Sequence, residues 1–222
     1  MSVAGGRPSL RDEQKAMTRQ RLLEAAEAVF ARRGFHGASV DEIAREAGAT
    51  TGAMYSNFAG KEDLFLALFE ASTAAQVGEY SEIFSAGTTL EEQARGGADR
   101  WMEILRERPA YFPLFIEFWA YALREPRVRT RFAQRFAAFR ATMSRLVLEG
   151  AEQHGLPLAP KFAERLGIVI NALGNGLALE KLADPGAVPD ELFGDMLVLI
   201  FQGMAALAGE TTVAATRPRG ES

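Results

Sequence analysis

Hydroxyl and amide side chains are concentrated in one short stretch of the sequence, Thr50-Thr51-Gly52-Ala53-Met54-Tyr55-Ser56-Asn57. Such groups can hydrogen-bond to base edges and phosphates, and a glycine among them lets the backbone approach a base closely. The stretch contains no charged residue, so cations for phosphate contacts must come from outside it. These features predict a DNA-contacting segment. The predicted contact residues are Arg19, Ser39, Thr50, Thr51, Gly52, Tyr55, Ser56, Asn57 and Lys61.

Residues for other kinds of chemistry are scarce. The sequence has no cysteine, which excludes disulfides, thiolate nucleophiles and Cys-ligated metal sites. His36 and His154 are isolated and lack metal-ligand spacing, and there is no Gly-x-Ser-x-Gly elbow. Gly174-Asn175-Gly176 lacks the third glycine of a dinucleotide-binding loop. We therefore expect no catalytic residue, no metal, no cofactor and no enzymatic activity.

Two short helices joined by a tight turn are predicted to position the contact residues. Ser39 can cap the first helix, with Glu42 completing a capping box, and Thr50 can cap the second. Gly48 supplies the positive φ of the turn. Small and apolar side chains would fill the space between the two helices, namely Ile43, Ala44, Ala49 and Met54. This is the arrangement of a helix-turn-helix, whose second helix enters the major groove.

The chain as a whole is predicted to be all-α, with about nine helices. Its 222 residues are 48% hydrophobic and 24% charged, as in ordinary globular proteins. Apolar residues recur at helical spacing in segments that are separated by Gly and Pro. The first three helices are expected at 18–33, after Ser39 and after Thr50. The other six are expected from Lys61 onward and at 90–108, 110–124, 127–154, 161–183 and 189–207.

The predicted domain organisation has four segments. They are a flexible arm at 1–16, a helix-turn-helix domain at 17–62, a ligand-binding and dimerisation domain at 63–208 and a flexible tail at 209–222. The net charge of the whole chain is -4, but residues 1–61 carry +2 and the remainder -6. This weak asymmetry favours a nucleic-acid partner for the first segment. No signal sequence and no apolar run of membrane-spanning length are evident, so we expect a cytoplasmic protein without membrane contact.

Residues 18 to 69 resemble the DNA-binding domain of the TetR family of regulators. The resemblance rests on Phe30-Ala-Arg-Arg-Gly34-Phe35, Ser39-Val40-Asp-Glu-Ile43-Ala44, Ala47-Gly48, Gly52-Ala53-Met54-Tyr55-Ser-Asn-Phe58 and Lys61-Glu62-Asp63-Leu64. It implies a three-helix DNA-binding domain followed by a variable helical domain with a ligand pocket, and a dimer formed by the last two helices. Thr51, Ser56 and Asn57 differ from the residues common at these positions in relatives. The operator sequence of a relative therefore cannot be transferred to this chain.

Aromatic residues are dense between Trp101 and Tyr121, and either core packing or a ligand cavity explains them. Glu117 would face a cationic ligand or pair with Arg100 or Arg124. Asn171 and Asn175 lie one helical turn apart and would face a pocket, each other or an arginine. The predicted ligand-binding residues are Trp101, Phe115, Glu117, Phe118, Trp119, Tyr121, Asn171 and Asn175.

Glycines interrupt the last two helices, and because glycine weakens a helix they indicate close helix approach. Gly174, Gly176 and Gly203 are predicted at or near a homodimer contact. The resulting hypothesis is a repressor that a small apolar or aromatic effector releases from palindromic double-stranded operator DNA. A helical enzyme and a ligand carrier that has lost DNA binding are the alternatives; the first lacks catalytic residues and the second should lack an intact recognition helix.

Overall fold

A computed structural model describes residues 9–87, 89–156 and 158–216, and all regular secondary structure within them is helical. The predicted all-α fold is confirmed. The helices are α1 (Leu10–Gly37), α2 (Val40–Glu46), α3 (Thr51–Asn57), α4 (Lys61–Ala86), α5 (Leu90–Glu107), α6 (Tyr111–Arg124), α7 (Pro126–Gln153), α8 (Pro160–Ala183) and α9 (Leu192–Thr216).

The first helix begins at Leu10, within the segment expected to be a flexible arm. Ser9 caps it: the Ser9 hydroxyl accepts from the backbone N–H of Asp12 at 3.2 Å, and the Asp12 carboxylate accepts from the N–H of Ser9 at 3.3 Å. The capping box stabilises a helical turn whose side chains remain in solvent, which apolar periodicity could not reveal. The expectation of an arm is therefore wrong for 10–16. Residues 1–8 lie outside the described residues.

The last helix also differs from its expected length, since α9 reaches Thr216 and includes part of the segment expected to be a tail. Residues 217–222 lie outside the described part of the chain. The start of α9 at Leu192 is close to the expected position at residue 189. The bounds of α5, α6, α7 and α8 lie within three residues of those expected from Pro and Gly punctuation.

The chain packs as two units, and neither is continuous in sequence. In the described chain, the first unit contains residues 9–73 and 110–135, and so holds α1 to α3, the first half of α4, α6 and the start of α7. The second unit contains residues 74–109 and 136–216. This division differs from the linear boundary expected at residue 62, because α6 packs against α1 although the 73 residues 38–110 separate them in the chain.

Aromatic rings form much of the interior of the first unit. Phe65 stacks on Phe118 with their ring centroids 3.9 Å apart, and Phe35 meets Phe118 edge-on at 4.9 Å. Both contacts join a helix of the N-terminal segment to α6. The edge-on pair of Phe35 and Phe118 has a geometry that adds about 0.5 to 1.5 kcal/mol beyond the apolar area it buries. The aromatic residues of α6 therefore help to hold the first unit together.

The second unit is organised around α5, which packs against α8 and α9. Its core consists of Ala94, Ala98, Val147, Leu166, Phe193, Leu197, Val198 and Phe201. The indole N–H of Trp101 donates to the carbonyl oxygen of Gly174 at 3.1 Å and so joins α5 to α8. An ion pair of 2.7 Å between Arg95 and Asp195 joins α5 to α9.

The eighth helix, α8, is long and apolar enough to meet the length and composition of a membrane span, although no such run was expected from the sequence. By length and composition alone α8 could cross a membrane. In the structure 22% of its apolar window is buried. One helix of this kind is weak evidence for a membrane span. Its exposed apolar side chains include Ile168, Val169, Leu179 and Leu182, each about half exposed.

Candidate nucleic-acid interface

The segment from Ser39 to Asn57 forms two short helices joined by a tight turn. The Ser39 hydroxyl accepts from the N–H of Glu42 at 3.1 Å, and the Thr50 hydroxyl accepts from the N–H of Ala53 at 3.0 Å. Each therefore caps its helix as predicted. Gly48 has the left-handed φ of 60° that the turn needs. The structure thus has the predicted helix-turn-helix in α2 and α3.

Only half of the predicted capping box on α2 is present. Ser39 accepts its hydrogen bond, but the carboxylate of Glu42 does not return to the N–H of Ser39. It pairs instead with Arg33 of α1, with an N–O distance of 3.4 Å. A long, partly exposed side chain can exchange a local partner for a distant cation, and sequence spacing does not record that choice.

Helix α3 is divided into a buried and an exposed face. Met54 is fully buried and Phe58, which follows the helix, is 2% exposed, so both belong to the core as predicted. On the opposite side Tyr55 is 58% exposed, and Thr51, Gly52 and Ser56 are also exposed. The exposed face is therefore polar, free of charge and accessible along its whole length.

Three of the predicted contact residues already have hydrogen bonds within the protein. The Thr51 hydroxyl donates to the Asp41 carboxylate at 2.9 Å, and the Ser56 hydroxyl donates to the carbonyl of Ala53 at 2.8 Å. The side-chain amide of Asn57 also donates to Ala53, at 2.8 Å, while its carbonyl oxygen is buried with no hydrogen-bond partner among the described residues. The hydroxyls of Thr51 and Ser56 can still accept a hydrogen bond from a base, but they could donate to one only after changing partner.

The two predicted phosphate-binding cations are also held within the protein. The Lys61 ammonium donates to the carbonyls of Ala38 at 3.0 Å and His36 at 3.3 Å, and lies 4.7 Å from the centre of the Phe35 ring. Arg19 donates to the carbonyl of Asn57 at 3.1 Å, with its guanidinium over the ring of Phe58. Both cations therefore lie at the C-terminal ends of helices, Lys61 at α1 and Arg19 at α3, where carbonyl groups lack helical partners.

Glu117 has a partner that sequence reasoning did not consider. Its two carboxylate oxygens accept from the backbone N–H groups of Phe35 at 2.9 Å and His36 at 2.8 Å. A pair with Arg100 or Arg124 was one of the two alternatives for Glu117, and the structure shows backbone partners instead; Arg100 pairs with Glu79, Glu103 and Glu107. Arg100 thus pairs with carboxylates of its own unit, and Glu117 accepts hydrogen bonds from the backbone at the end of α1.

The first turns of α4 carry acidic residues that the sequence analysis also missed. Glu62 accepts from the hydroxyl of Tyr121 at 3.0 Å, Asp63 pairs with Arg131, and Glu70 pairs with Arg135 at 2.6 Å. Burial, followed by the nearby carboxylate of Glu62, raises the pKa of the Tyr121 phenol. These contacts join α4 to α6 and to the start of α7.

Two family models match successive parts of the chain. Residues 22–68 match the model of bacterial regulatory proteins of the tetR family, and residues 90–197 match the C-terminal model of BetI-type transcriptional repressors. The chain belongs to the TetR family. The resemblance seen in the sequence is confirmed, and the helix-turn-helix of this TetR-family regulator is the segment that the first model covers.

Relatives of this TetR-family chain include the regulator AcrR of Shigella flexneri, 38% identical over 90 residues that make up 40% of this chain and 37% of AcrR. The chain thus matches less than half the length of that relative. A transcriptional regulator of Pseudomonas aeruginosa PAO1 has the same fold, with a TM-score of 0.67 and 21% identity over 91% of this chain and 95% of the other. The regulator FadR of Bacillus subtilis, solved with stearoyl-CoA, matches with a TM-score of 0.62 and 18% identity over 82% and 96%.

The predicted ligand-binding residues of this TetR-family chain are divided between the two units. Phe115, Glu117, Phe118, Trp119 and Tyr121 belong to the first unit, and Trp101, Asn171 and Asn175 to the second. Phe118 is fully buried between other rings, and Phe115 is 5% exposed with its ring edge-on to Trp119. For these aromatic residues the structure shows the core packing that the sequence analysis had weighed against a ligand role.

The two asparagines of α8 are hydrogen-bonded to each other, as one of the three alternatives for them predicted. The side-chain amide of Asn175 donates to the side-chain carbonyl of Asn171 at 2.8 Å, and both residues are partly buried. Their spacing of four residues places them on one helix face.

The three glycines predicted at the dimer contact have different surroundings. A Cβ built on Gly174 would lie 3.0 Å from the Phe193 ring and 3.4 Å from the indole nitrogen of Trp101. Gly174 is therefore buried within its own subunit, and its close approach to other helices is intramolecular. A Cβ on Gly176 or Gly203 would meet nothing within 4 Å. Of the three glycines predicted at the dimer contact, Gly176 and Gly203 are therefore the exposed ones.

Proposed function

We propose that this TetR-family regulator binds a specific operator through α3. The observation that carries the proposal is the division of α3, in which Met54 is fully buried while Tyr55 is 58% exposed. A helix fixed by its buried face presents the exposed one as a rigid polar surface, and the major groove is wide enough to admit an α-helix. Ser39 and Thr50, at the N-termini of α2 and α3, add N–H groups suited to phosphates.

The regulator would act as a homodimer formed by α8 and α9. Ile168, Val169, Leu179 and Leu182 of α8 and Leu199 of α9 are between 46% and 59% exposed. A cluster of exposed apolar residues favours burial against another surface. A two-fold dimer presents two recognition helices to two half-sites, so the operator would be palindromic. Such a protein would act in the cytoplasm, where operator DNA is accessible.

Effector binding is proposed for the second unit. Trp101 is half-buried beside α8, and Asn171 and Asn175 supply a polar pair on that helix. The complex of FadR with stearoyl-CoA and the match to a model of transcriptional repressors support an apolar effector and a repressor role. An effector can release DNA only if it binds the DNA-incompetent arrangement more tightly, and a coupling of about 1 to 3 kcal/mol would be ordinary.

A selection from random duplex DNA tests the central proposal. The purified full-length protein is incubated with the pool at moderate salt, and retained fragments are sequenced. We expect a palindromic motif with half-sites about one helical turn apart or a multiple of it. The variant Tyr55→Ala, which alters only the exposed face of α3, should lose or change that motif. A wild-type protein that enriches no sequence would contradict the proposal.

The effector role is tested separately through tryptophan fluorescence. In a Trp119→Phe background Trp101 is the remaining tryptophan, since the chain has two. We expect some apolar compounds to quench its emission and to weaken operator binding. Compounds that bind tightly but leave operator affinity unchanged would contradict induction while leaving DNA recognition intact.

A further inference from the structure

The first helix is broken near its end, and the break leaves backbone N–H groups without an acceptor inside the helix. Gly34 has φ 69° and ψ 175°, which interrupts α1 before the final turn at residues 35–37. The first N–H groups of a new helical turn have no acceptor within that turn. At this break they belong to Phe35, which is buried, and His36. A buried N–H without an acceptor is costly, so the turn needs a partner from elsewhere.

Glu117 supplies both acceptors from α6. One carboxylate oxygen lies 2.9 Å from the nitrogen of Phe35, and the other lies 2.8 Å from the nitrogen of His36. A carboxylate is the group best suited to this position, because it accepts with both oxygens and its negative charge is favourable at the start of a helical turn. A glutamine in the same position would have one acceptor atom instead of two, since its NH₂ group would meet the second N–H donor.

Gly34 is shaped to this contact in two ways. Its φ lies in the region that L side chains rarely adopt. A Cβ at this position would also lie 2.6 Å from the Glu117 carboxylate, so a side chain there would displace it. Gly34 and Glu117 therefore form a matched pair, although 83 positions separate them in the sequence.

The other end of the same turn is held by a cation. Lys61 donates to the carbonyls of His36 and Ala38 at 3.3 and 3.0 Å. Ala38 is followed immediately by Ser39, which caps α2. The segment 35–38 is thus fixed by a carboxylate at its N–H end and by an ammonium at its carbonyl end, and it is the direct connection to the helix-turn-helix.

We propose that Glu117 is a positioning residue for operator recognition, because it fixes the 35–38 turn from which α2 and α3 continue. The proposal rests on DNA reading by α3, as set out above. Glu117 lies within residues 90–197, the part that matches the C-terminal family model, and not within residues 22–68. The module that reads DNA is therefore completed by a side chain that neither the motif nor the N-terminal family model includes.

The first test compares full-length Glu117→Gln with Glu82→Gln, an exposed control on α4 that makes the same change in charge. Hydrogen exchange should become at least about tenfold faster at one or both of the amides of Phe35 and His36 in Glu117→Gln only, because the NH₂ group of glutamine cannot replace the second carboxylate oxygen as an acceptor. Operator affinity should fall by about tenfold or more. Affinity for unrelated duplex DNA at low salt should change less than about twofold, since the cations that contact phosphates are unchanged.

The second test uses Gly34→Ala alone and combined with Glu117→Gln. Both substitutions remove the same contact, so the double variant should lose less operator affinity than the product of the two single losses. Fully independent effects would overturn the proposal. So would faster exchange with unchanged operator affinity, or an equal loss for specific and unrelated DNA. If the wild type selects no operator, DNA reading by α3 fails, while the exchange measurement still reports on the Glu117 contact.

Discussion

Tyr55 and Phe58 illustrate how residues of one chemical type take different roles within a single turn. They lie three positions apart, yet Tyr55 is 58% exposed and Phe58 is 2% exposed. The face of the helix decides the difference, because Met54 and Phe58 lie on the side that packs into the first unit. The phenol of Tyr55 is thereby left at the surface, where it can contact a phosphate or a base.

Tyr55→Phe should leave the unfolding free energy within about 0.5 kcal/mol of wild type, because the lost hydroxyl is exposed. Operator affinity should fall by roughly 1.5 to 3 kcal/mol if that hydroxyl donates to a phosphate. Tyr121→Phe is the matched control, since it loses the hydrogen bond to Glu62 at 3.0 Å and should instead lower stability. Thermal unfolding and operator titration measure the two effects. Equal loss of affinity in both variants would contradict a direct contact by Tyr55.

Lys61→Ala should reduce both stability and DNA affinity. The ammonium holds the carbonyls of His36 and Ala38, and its loss should cost about 1 to 2 kcal/mol of stability. If Lys61 also reaches a phosphate, binding should weaken alike for all sequences and the salt slope should fall by about 1. Lys161→Ala, at an exposed position on α8, is the control. An unchanged slope would show that Lys61 acts through the protein backbone alone.

At the scale of the helix, the glycines of α8 serve different purposes. Gly174 is buried against Phe193 and Trp101, whereas Gly176, half a turn away, faces open space within the subunit. A glycine in a helix interior costs about 1 kcal/mol relative to alanine. At Gly174 that cost is offset by the close packing of α8 on α5 and α9. At Gly176 no contact within the described part of the subunit offsets it.

The pair Gly174→Ala and Gly176→Ala separates these roles. Gly174→Ala should lower stability by about 1 to 3 kcal/mol, because the added methyl group would lie 3.0 Å from the ring of Phe193, which is buried and would have to shift. Gly176→Ala should leave the stability of the subunit unchanged or raise it by up to about 1 kcal/mol. Urea unfolding measures both. A loss of dimer affinity in Gly176→Ala would show that this glycine belongs to the contact between subunits, whereas strong destabilisation of the subunit itself would contradict its open surroundings.

At the scale of the whole molecule, the proposed function depends on burying the exposed apolar residues of α8 and α9. Ile168, Val169 and Leu199 are each more than half exposed in the single chain. Exposed apolar side chains in such number favour burial against another surface. A second copy of the chain is the proposed partner, because two recognition helices are needed to read a palindrome.

Val169→Asp and Leu199→Asp should each convert the dimer to a monomer at micromolar concentration, since a buried unpaired carboxylate is strongly unfavourable. Operator affinity should fall with the dimer. Leu123→Asp is the control, because Leu123 is 60% exposed but lies on α6. Sedimentation measures the mass. A wild-type monomer would contradict the dimer, and monomeric variants that retain full operator affinity would contradict the palindrome.

The sequence by itself determined the helical fold, the helix-turn-helix and most helix bounds. Ser39, Gly48 and Thr50 act through neighbours at most three residues away, and the burial of Met54 follows from helical periodicity. Local signals of this kind are visible in any single sequence. They also predicted which face of α3 is exposed. At the start of α1 the apolar pattern is absent, and the local signal that marks the helix there, the capping box of Ser9 and Asp12, was overlooked.

Only the tertiary structure decided how distant segments pair. Glu117 is 82 positions from Phe35 and Lys61 is 23 from Ala38, so neither contact leaves a local pattern. The same holds for the placement of α6 in the first unit and for Gly174, whose close approach proved to be intramolecular. Periodicity shows that a side chain faces inward but not which helix it meets, because that depends on the packing of the whole chain.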